Sequence, residues 1–116
     1  YLSGNTIYVL QPWTYIFDYM LKITENCTTI IGTTGEIYFY TKDQQWATIK
    51  VISGQNTIIE NIIIDGRNNG KNKNHEENNY GIFINTSQNS IENIECYDQK
   101  RFWIYMEIIS RKKKEN

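Results

Sequence analysis

One polar segment, residues 66–79, holds the residue types best suited to chemistry, and it reads GRNNGKNKNHEENN. With Asp65 directly before it, this segment forms the only concentrated set of acidic, basic and other charged groups in the chain. General acid–base chemistry uses such groups, held where a proton must move. Lys71 or Arg67 could serve as a base or as a cationic clamp on a substrate. The catalytic candidates are Arg67, His75, Glu76 and Glu77.

The carboxylates of the same segment could bind a metal ion. The sequence predicts no cofactor; the alternative is Ca²⁺, which prefers oxygen ligands, with Asp65, Glu76 and Glu77 as its candidate ligands. His75 is the single histidine and lacks the second and third ligands that a zinc site needs. Because no candidate has a partner at a diagnostic spacing, we favour the alternative that this Asn- and Gly-rich segment is a solvated surface loop.

Composition excludes some classes of function. A chain of 116 residues is one domain, and its net charge of −1 provides no overall attraction to nucleic acid or to an anionic membrane. The longest apolar stretch, residues 102–109, is far shorter than the roughly 20 residues of a membrane span. Cys27 and Cys96 match no metal-binding spacing and could form one disulfide or remain two buried thiols; we favour thiols because a free Cys is often simply a small buried hydrophobic residue.

The elements that must position these groups are predicted by an internal repeat. Residues 49–56 align with residues 82–89, and the match continues to residues 62 and 94 with one isoleucine missing. A weaker copy occupies residues 23–32. Each copy contains short runs rich in Ile, Val, Thr and Tyr, bounded by Gly, Asn, Ser or Asp, which is typical of strands. The repeat predicts a solenoid of about four coils.

Two asparagines mark predicted corners of this solenoid. In both copies the sequence Glu-Asn-Ile interrupts an isoleucine-rich run, at Asn61 and at Asn93. A bend within two residues usually places one residue at positive φ, where Asn is tolerated better than any residue except Gly. Equivalent corners of neighbouring coils would let the two side-chain amides hydrogen bond in a ladder. The alternative is that both are ordinary polar loop residues.

Three segments resemble right-handed parallel β-helix proteins of the pectate-lyase-like superfamily: NTIIENIIIDG, YGIFINTSQNSIENIECYD and SGNTIYVLQPWTY. The third is similar to the first strand and Pro-Gly-Thr-Tyr turn of that fold, with Trp13 in place of the glycine. The resemblance covers about residues 3–99 and implies an all-β, right-handed parallel β-helix solenoid, as a partial N-terminal segment. We predict coils over residues 1–99, with residues 66–79 as a loop insertion. Residues 100–116 are predicted as a non-repeat tail, which could be a cap formed by a short helix or strand.

The resemblance implies a choice among functions, because the superfamily includes lyases, hydrolases, esterases, phage tailspikes and surface adhesins. The Arg-x-Pro-x-x-Arg motif of lyases is absent, and so are the polygalacturonase elements Asn-Thr-Asp, Gly-x-Asp-Asp and Gly-His-Gly. We therefore favour a structural or carbohydrate-associated segment of an extracellular or cell-surface protein, without its own catalytic site. The alternatives are a fragment of a polysaccharide lyase or glycoside hydrolase, and a viral fibre or tailspike module that contacts a host. The expected partners are a polysaccharide or glycan, and further copies joined through open coil edges.

Tyrosines offer a surface for such a glycan. Strand alternation in residues 36–41, EIYFYT, sends two tyrosines to the face opposite Ile37 and Phe39. Tyr8 alternates in the same way, so an outward stripe suited to sugar rings is predicted from Tyr8, Tyr38 and Tyr40. The alternative is that these are ordinary strand residues partly covered by loops; Trp46 and Trp103 are assigned to packing or capping. The predicted inner stack is Ile7, Val9, Ile30, Ile37, Phe39, Ile49, Val51, Ile58, Ile63, Ile82, Ile84, Ile91 and Ile94.

Overall fold

The computed structural model describes residues 2–33, 35–67 and 77–107, and within these ranges the chain forms strands and no helix. Runs of Ile, Val, Thr and aromatic residues form the strands because these side chains pack well on a pleated surface. The strands are β1 Thr6–Leu10, β2 Trp13–Phe17, β3 Leu21–Ile23, β4 Thr28–Gly32, β5 Ile37–Thr41, β6 Ala47–Val51, β7 Ile58–Asp65, β8 Tyr80–Ile84, β9 Ser90–Tyr97 and β10 Phe102–Met106.

The strands form two sheets, and every pairing among the described residues is parallel. Sheet A has the order β1-β4-β7-β5-β2, with β9 also paired to β7, and sheet B has the order β10-β8-β6-β3. The first part of β7 pairs with β4 and its last part with β5. Because paired strands are never consecutive, the chain passes repeatedly from one sheet to the other. This all-β arrangement is compatible with a β-solenoid.

The predicted asparagine corners are confirmed. Asn61 and Asn93 have φ angles of 61° and 51°, and each interrupts the alternation of its strand. The Asn93 Nδ2 group donates to Asn61 Oδ1 at 2.8 Å, and the Asn61 Nδ2 group donates to the Gly32 carbonyl oxygen at 3.2 Å. A Cβ atom at Gly32 would collide with the Asn61 carbonyl oxygen, so this step of the ladder requires glycine. The ladder therefore joins β4, β7 and β9, three neighbouring strands of sheet A.

The hydrophobic core lies between the two sheets and agrees with most of the predicted stack. Seven of the predicted residues are fully buried: Ile30, Ile37, Phe39, Ile49, Val51, Ile82 and Ile84. Ile91 and Ile94 are partly buried and pack against this core. The core also contains Cys96, and burial raises the pKa of its thiol to about 12. Both cysteines are free thiols, as favoured, although Cys27 is exposed rather than buried.

Four predicted core positions are wrong, and a shift of one residue explains each. Ile7 and Val9 are 66% and 57% exposed, because β1 instead turns Tyr8 toward the core beside Ile30. In β7, Ile58 and Ile63 are only partly buried, and the core positions are instead the fully buried Ile59, Ile62 and Ile64. Side chains alternate along a strand, so a shift of one residue exchanges the two faces. The corner at Asn61 resets this alternation within β7.

The predicted tail is a strand where the structure describes it. Phe102 of β10 pairs with Tyr80 of β8, so residues 102–106 extend sheet B. The tail thus continues the parallel stack that the sequence analysis ended at residue 99. In the described part of the chain, no helix is long and apolar enough to cross a membrane.

A buried amide closes the polar loop at its C-terminal end. Asn78 is completely buried, and its Nδ2 group donates to Thr41 Oγ1 at 2.9 Å and to Thr48 Oγ1 at 3.0 Å. Its Oδ1 atom accepts from the Gln45 backbone N–H at 2.6 Å, and its own N–H donates to the Gly66 carbonyl oxygen at 2.9 Å. One side chain therefore fixes the loop end against β5 and against the entrance to β6.

Candidate functional site

The charged candidates of the polar segment are only partly visible. His75, Glu76 and Lys71 lie outside the described residues. Glu77 is described, and its backbone carbonyl oxygen accepts from Gln44 Nε2 at 3.0 Å.

Asp65 and Arg67 are described, and they bind each other. Arg67 Nη2 lies 2.7 Å from Asp65 Oδ2, and Arg67 Nε lies 3.0 Å from Asp65 Oδ1. Arg67 Nε also lies 3.0 Å from Asp98 Oδ2. These contacts raise the pKa of Arg67, through the hydrogen bond to Asp65 first and the charge of the same carboxylate next, so its guanidinium is poorly suited to remove a proton. Among the described residues, no group of three or more His, Cys, Asp or Glu side chains could hold a metal ion.

Two of the three predicted tyrosines face outward. Ile37 and Phe39 are buried, whereas Tyr38 and Tyr40 lie on the opposite face of β5 with near-parallel rings. The ring centroids are 6.1 Å apart and the ring planes differ by 14°. We call Tyr38 and Tyr40 the tyrosine shelf. The predicted orientation of Tyr8 is wrong, because its ring packs against the core and its hydroxyl accepts from the Ser3 N–H at 2.9 Å.

A groove of about 570 Å³ lies beside the tyrosine shelf on the outer face of sheet A. Tyr38 pairs with Ile63 of β7, and Ile63 pairs with Glu95 of β9, so these residues form one row across three strands. Glu36 also lines the groove. We call this feature the acidic groove. Its lining residues are Gly32, Thr33, Gly35, Glu36, Ile37, Asn61, Ile62, Ile63, Asn93 and Glu95.

A second aromatic surface lies on the outer face of sheet B. Phe83 stands between Ile82 and Ile84, which face the core, so its ring points outward. It packs with aromatic rings from the neighbouring strands at centroid distances such as 5.5 Å to Tyr105. Tyr80 and Tyr105 stack at 5.0 Å. We call this surface the aromatic platform, and its members are Trp46, Tyr80, Phe83, Phe102 and Tyr105.

The aromatic platform combines buried and exposed rings. Tyr80 and Phe83 are only 7% and 6% exposed, whereas Trp46 and Phe102 are 45% and 56% exposed. Lys50 Nζ lies 5.6 Å from the centroid of the Phe83 ring, on the side away from β10. The buried rings therefore support exposed rings, which are held in place before any ligand arrives.

A polar recess adjoins the exposed edge of the platform. It has a volume of about 380 Å³ and is lined by Gln44, Gln45, Trp46 and Asn79. Its side chains supply amide groups, which can both donate and accept hydrogen bonds. The platform and recess together present an apolar surface next to polar groups, the composition typical of sites for ligands with one apolar face.

Strand alternation alone does not predict this platform, although the chain contains a signal for it. Residues 80–84, YGIFI, align with residues 102–106, FWIYM, and both segments have aromatic residues at their first and fourth positions. A spacing of three does not fit simple strand alternation. Gly81 explains it, because a Cβ atom there would lie 2.7 Å from the buried Cys96 Sγ, so Gly81 and Ile82 both face inward. Trp46 does pack, as predicted, at 5.2 Å from Tyr80.

No family model, curated protein or solved structure matches this chain.

Proposed function

We propose that this chain is a segment of a right-handed parallel β-helix that binds a neutral glycan on its aromatic platform, without catalysis. The all-parallel pairing and the asparagine ladder support the fold, since both suit coils stacked along one axis. An extracellular or cell-surface setting, where glycans are abundant, follows from the resemblance to β-helix proteins.

The observation that carries the proposed function is the ring stack of sheet B. Trp46 and Phe102 expose aromatic surface, and Tyr80 is buried beneath them at centroid distances of 5.2 and 6.2 Å. A pyranose ring has one face lined by C–H groups, and such a face packs on an aromatic ring. Because the rings are already fixed by their neighbours, little side-chain entropy is lost on binding.

The recess beside Trp46 supplies the polar half of the interaction. Sugar hydroxyl groups both donate and accept hydrogen bonds, and the amide side chains of Gln45 and Asn79 can do the same. Gln45 is already oriented, because its Oε1 atom accepts from the Met20 N–H at 3.2 Å. Aromatic stacking with amide hydrogen bonds recognises uncharged sugars, so neutral oligosaccharides are the proposed ligands.

The test is isothermal titration calorimetry against a panel of neutral oligosaccharides. Trp46→Ala and Phe102→Ala should each weaken binding about tenfold, because an aromatic contact is worth about 1.5 kcal/mol beyond its buried area. Tyr19→Ala is the matched control, since Tyr19 is an exposed aromatic residue outside the platform. Its affinity should equal that of the wild type. Absence of binding across the panel, or equal losses in all three variants, would contradict the proposed function.

A further inference from the structure

The acidic groove has the dimensions of a sugar site and a charge that the aromatic platform lacks. Its walls are β5 and β9, and β7 between them contributes Ile63 to its floor. Neighbouring strands lie about 4.8 Å apart, so the two walls are separated by about 10 Å. This width admits a pyranose ring lying above Ile63.

The two walls carry one carboxylate each. Glu36 precedes β5, and Glu95 lies on the outer face of β9. Tyr97 donates its hydroxyl hydrogen to Glu95 Oε1 at 2.6 Å, which fixes that carboxylate. Among the described residues that line the groove, none is Lys, Arg or His. Arg67 is a nearby cation, but it is bound to Asp65 and Asp98.

The phenols beside the groove report its negative potential. The pKa of Tyr38 is raised, by its hydrogen bond to Glu36 first and also by the charge of Glu95. The pKa of Tyr97 is raised, by its hydrogen bond to Glu95 first and also by the charge of Glu36. The charges of both carboxylates therefore act on each phenol.

We propose that the acidic groove binds an amino sugar through its protonated amine. The ammonium group donates hydrogen bonds to Glu36 and Glu95, and charge-assisted hydrogen bonds of this kind are stronger than neutral ones. Tyr38 stands in one row with Ile63 and Glu95, so the tyrosine shelf supplies aromatic rings beside the bound cation and its sugar ring. An anionic sugar is repelled by the two carboxylates, and an N-acetylated sugar has no charge to pair with them.

The amino-sugar site does not depend on the proposed function, because it lies on the other sheet and takes a differently charged ligand. A sugar is favoured over a lysine side chain for two reasons visible in the groove. The width of about 10 Å exceeds what an extended alkyl chain fills. The paired rings of Tyr38 and Tyr40 offer a flat surface for a ring rather than a chain.

The test compares a glucosamine oligosaccharide with its N-acetylated counterpart of the same length by titration calorimetry. At low salt and at a pH below the pKa of the amine, the glucosamine oligosaccharide should bind at least about tenfold more tightly. Glu36→Gln and Glu95→Gln should each reduce this affinity about tenfold. Glu92→Gln is the matched control, because Glu92 is exposed on the same strand but does not line the groove, and it should have no effect.

Further arms separate this inference from its alternatives. Trp46→Ala should leave glucosamine binding unchanged, so that failure of the platform and failure of the groove are distinguishable. A trilysine peptide should bind more weakly than the amino sugar. The inference is overturned by equal affinity for the two oligosaccharides, by an equal loss in Glu92→Gln, or by tighter binding of trilysine. Circular dichroism of every variant establishes that its fold is intact.

Discussion

The outer faces of both sheets are built from parallel strands in register. They differ in which side chains lie at aligned positions of neighbouring strands. In sheet B, the aligned positions of β8 and β10 are both aromatic, so Phe83 and Tyr105 stack 5.5 Å apart. In sheet A, the aligned row contains Tyr38, Ile63 and Glu95, which have different shapes. Like side chains at the spacing of neighbouring strands close into a continuous surface, whereas unlike ones leave a groove.

This difference shows how one repeat can present two outer surfaces of different shape and charge. Similar residues in register form the platform, which is flat, rigid and apolar. Dissimilar residues in register form the acidic groove, which is concave and charged. The spacing of neighbouring strands is the same in both sheets, so the shape and charge of each surface depend on which side chains the strand register brings together.

The largest expected loss of stability comes from removing the buried side-chain amide of Asn78, which binds residues next to the aromatic platform. Asn78→Leu should lower the free energy of unfolding by about 3 kcal/mol, because it leaves the hydroxyls of Thr41 and Thr48 and the N–H of Gln45 without their partner. Urea denaturation measures the change. Asn79→Ala is the control and should cost less than about 1 kcal/mol, since it is the backbone carbonyl of Asn79 that accepts hydrogen bonds from the N–H groups of Arg101 and Phe102.

If Asn78→Leu and Asn79→Ala are equally stable, the buried network does not hold this side of the molecule. Ring packing alone would then hold the aromatic platform in place.

A smaller effect is expected at the corner that borders the acidic groove. Asn61→Val should lower the free energy of unfolding by about 2 kcal/mol, because a β-branched residue is strained at the φ of 61° found there. Asn61→Gly tolerates that φ and should cost less, about 1 kcal/mol, for the lost ladder hydrogen bonds to Asn93 and Gly32. Thermal unfolding of the two variants checks the order. Equal stability of the Val and Gly variants would contradict the assignment of Asn61 to a corner at positive φ.

The sequence predicts those parts of the fold that depend on local preference. Asn61 and Asn93 were identified because positive φ is a property of the single residue and its neighbours. The outward tyrosine shelf was identified because alternation is unbroken in β5. Strand type and the parallel stack follow from the repeat in the same way.

The remaining features depend on contacts that alternation does not encode. Tyr8 faces inward because the register of β1 against β4 pairs it with the buried Ile30. The apolar residues of β1, taken alone, predict the opposite orientation. Alternation does not predict the platform because Gly81 and Ile82 face inward together, which shifts Phe83 to the outer surface. Glu36 and Glu95 are distant in sequence, and they line the same groove only because β7 pairs with both β5 and β9. Each case requires the register between coils, which one sequence does not supply.

The most direct test of the account is a chemical-shift titration of the ¹⁵N-labelled chain, first with a neutral oligosaccharide and then with a glucosamine oligosaccharide. The neutral ligand should move the indole N–H signal of Trp46 and the backbone signals of Phe102 and Tyr105, and leave those of Tyr38 and Glu95 in place. The glucosamine ligand should produce the opposite pattern. If both ligands move the same signals, or if the neutral ligand leaves the platform signals unchanged, the division of recognition between the two sheets is wrong.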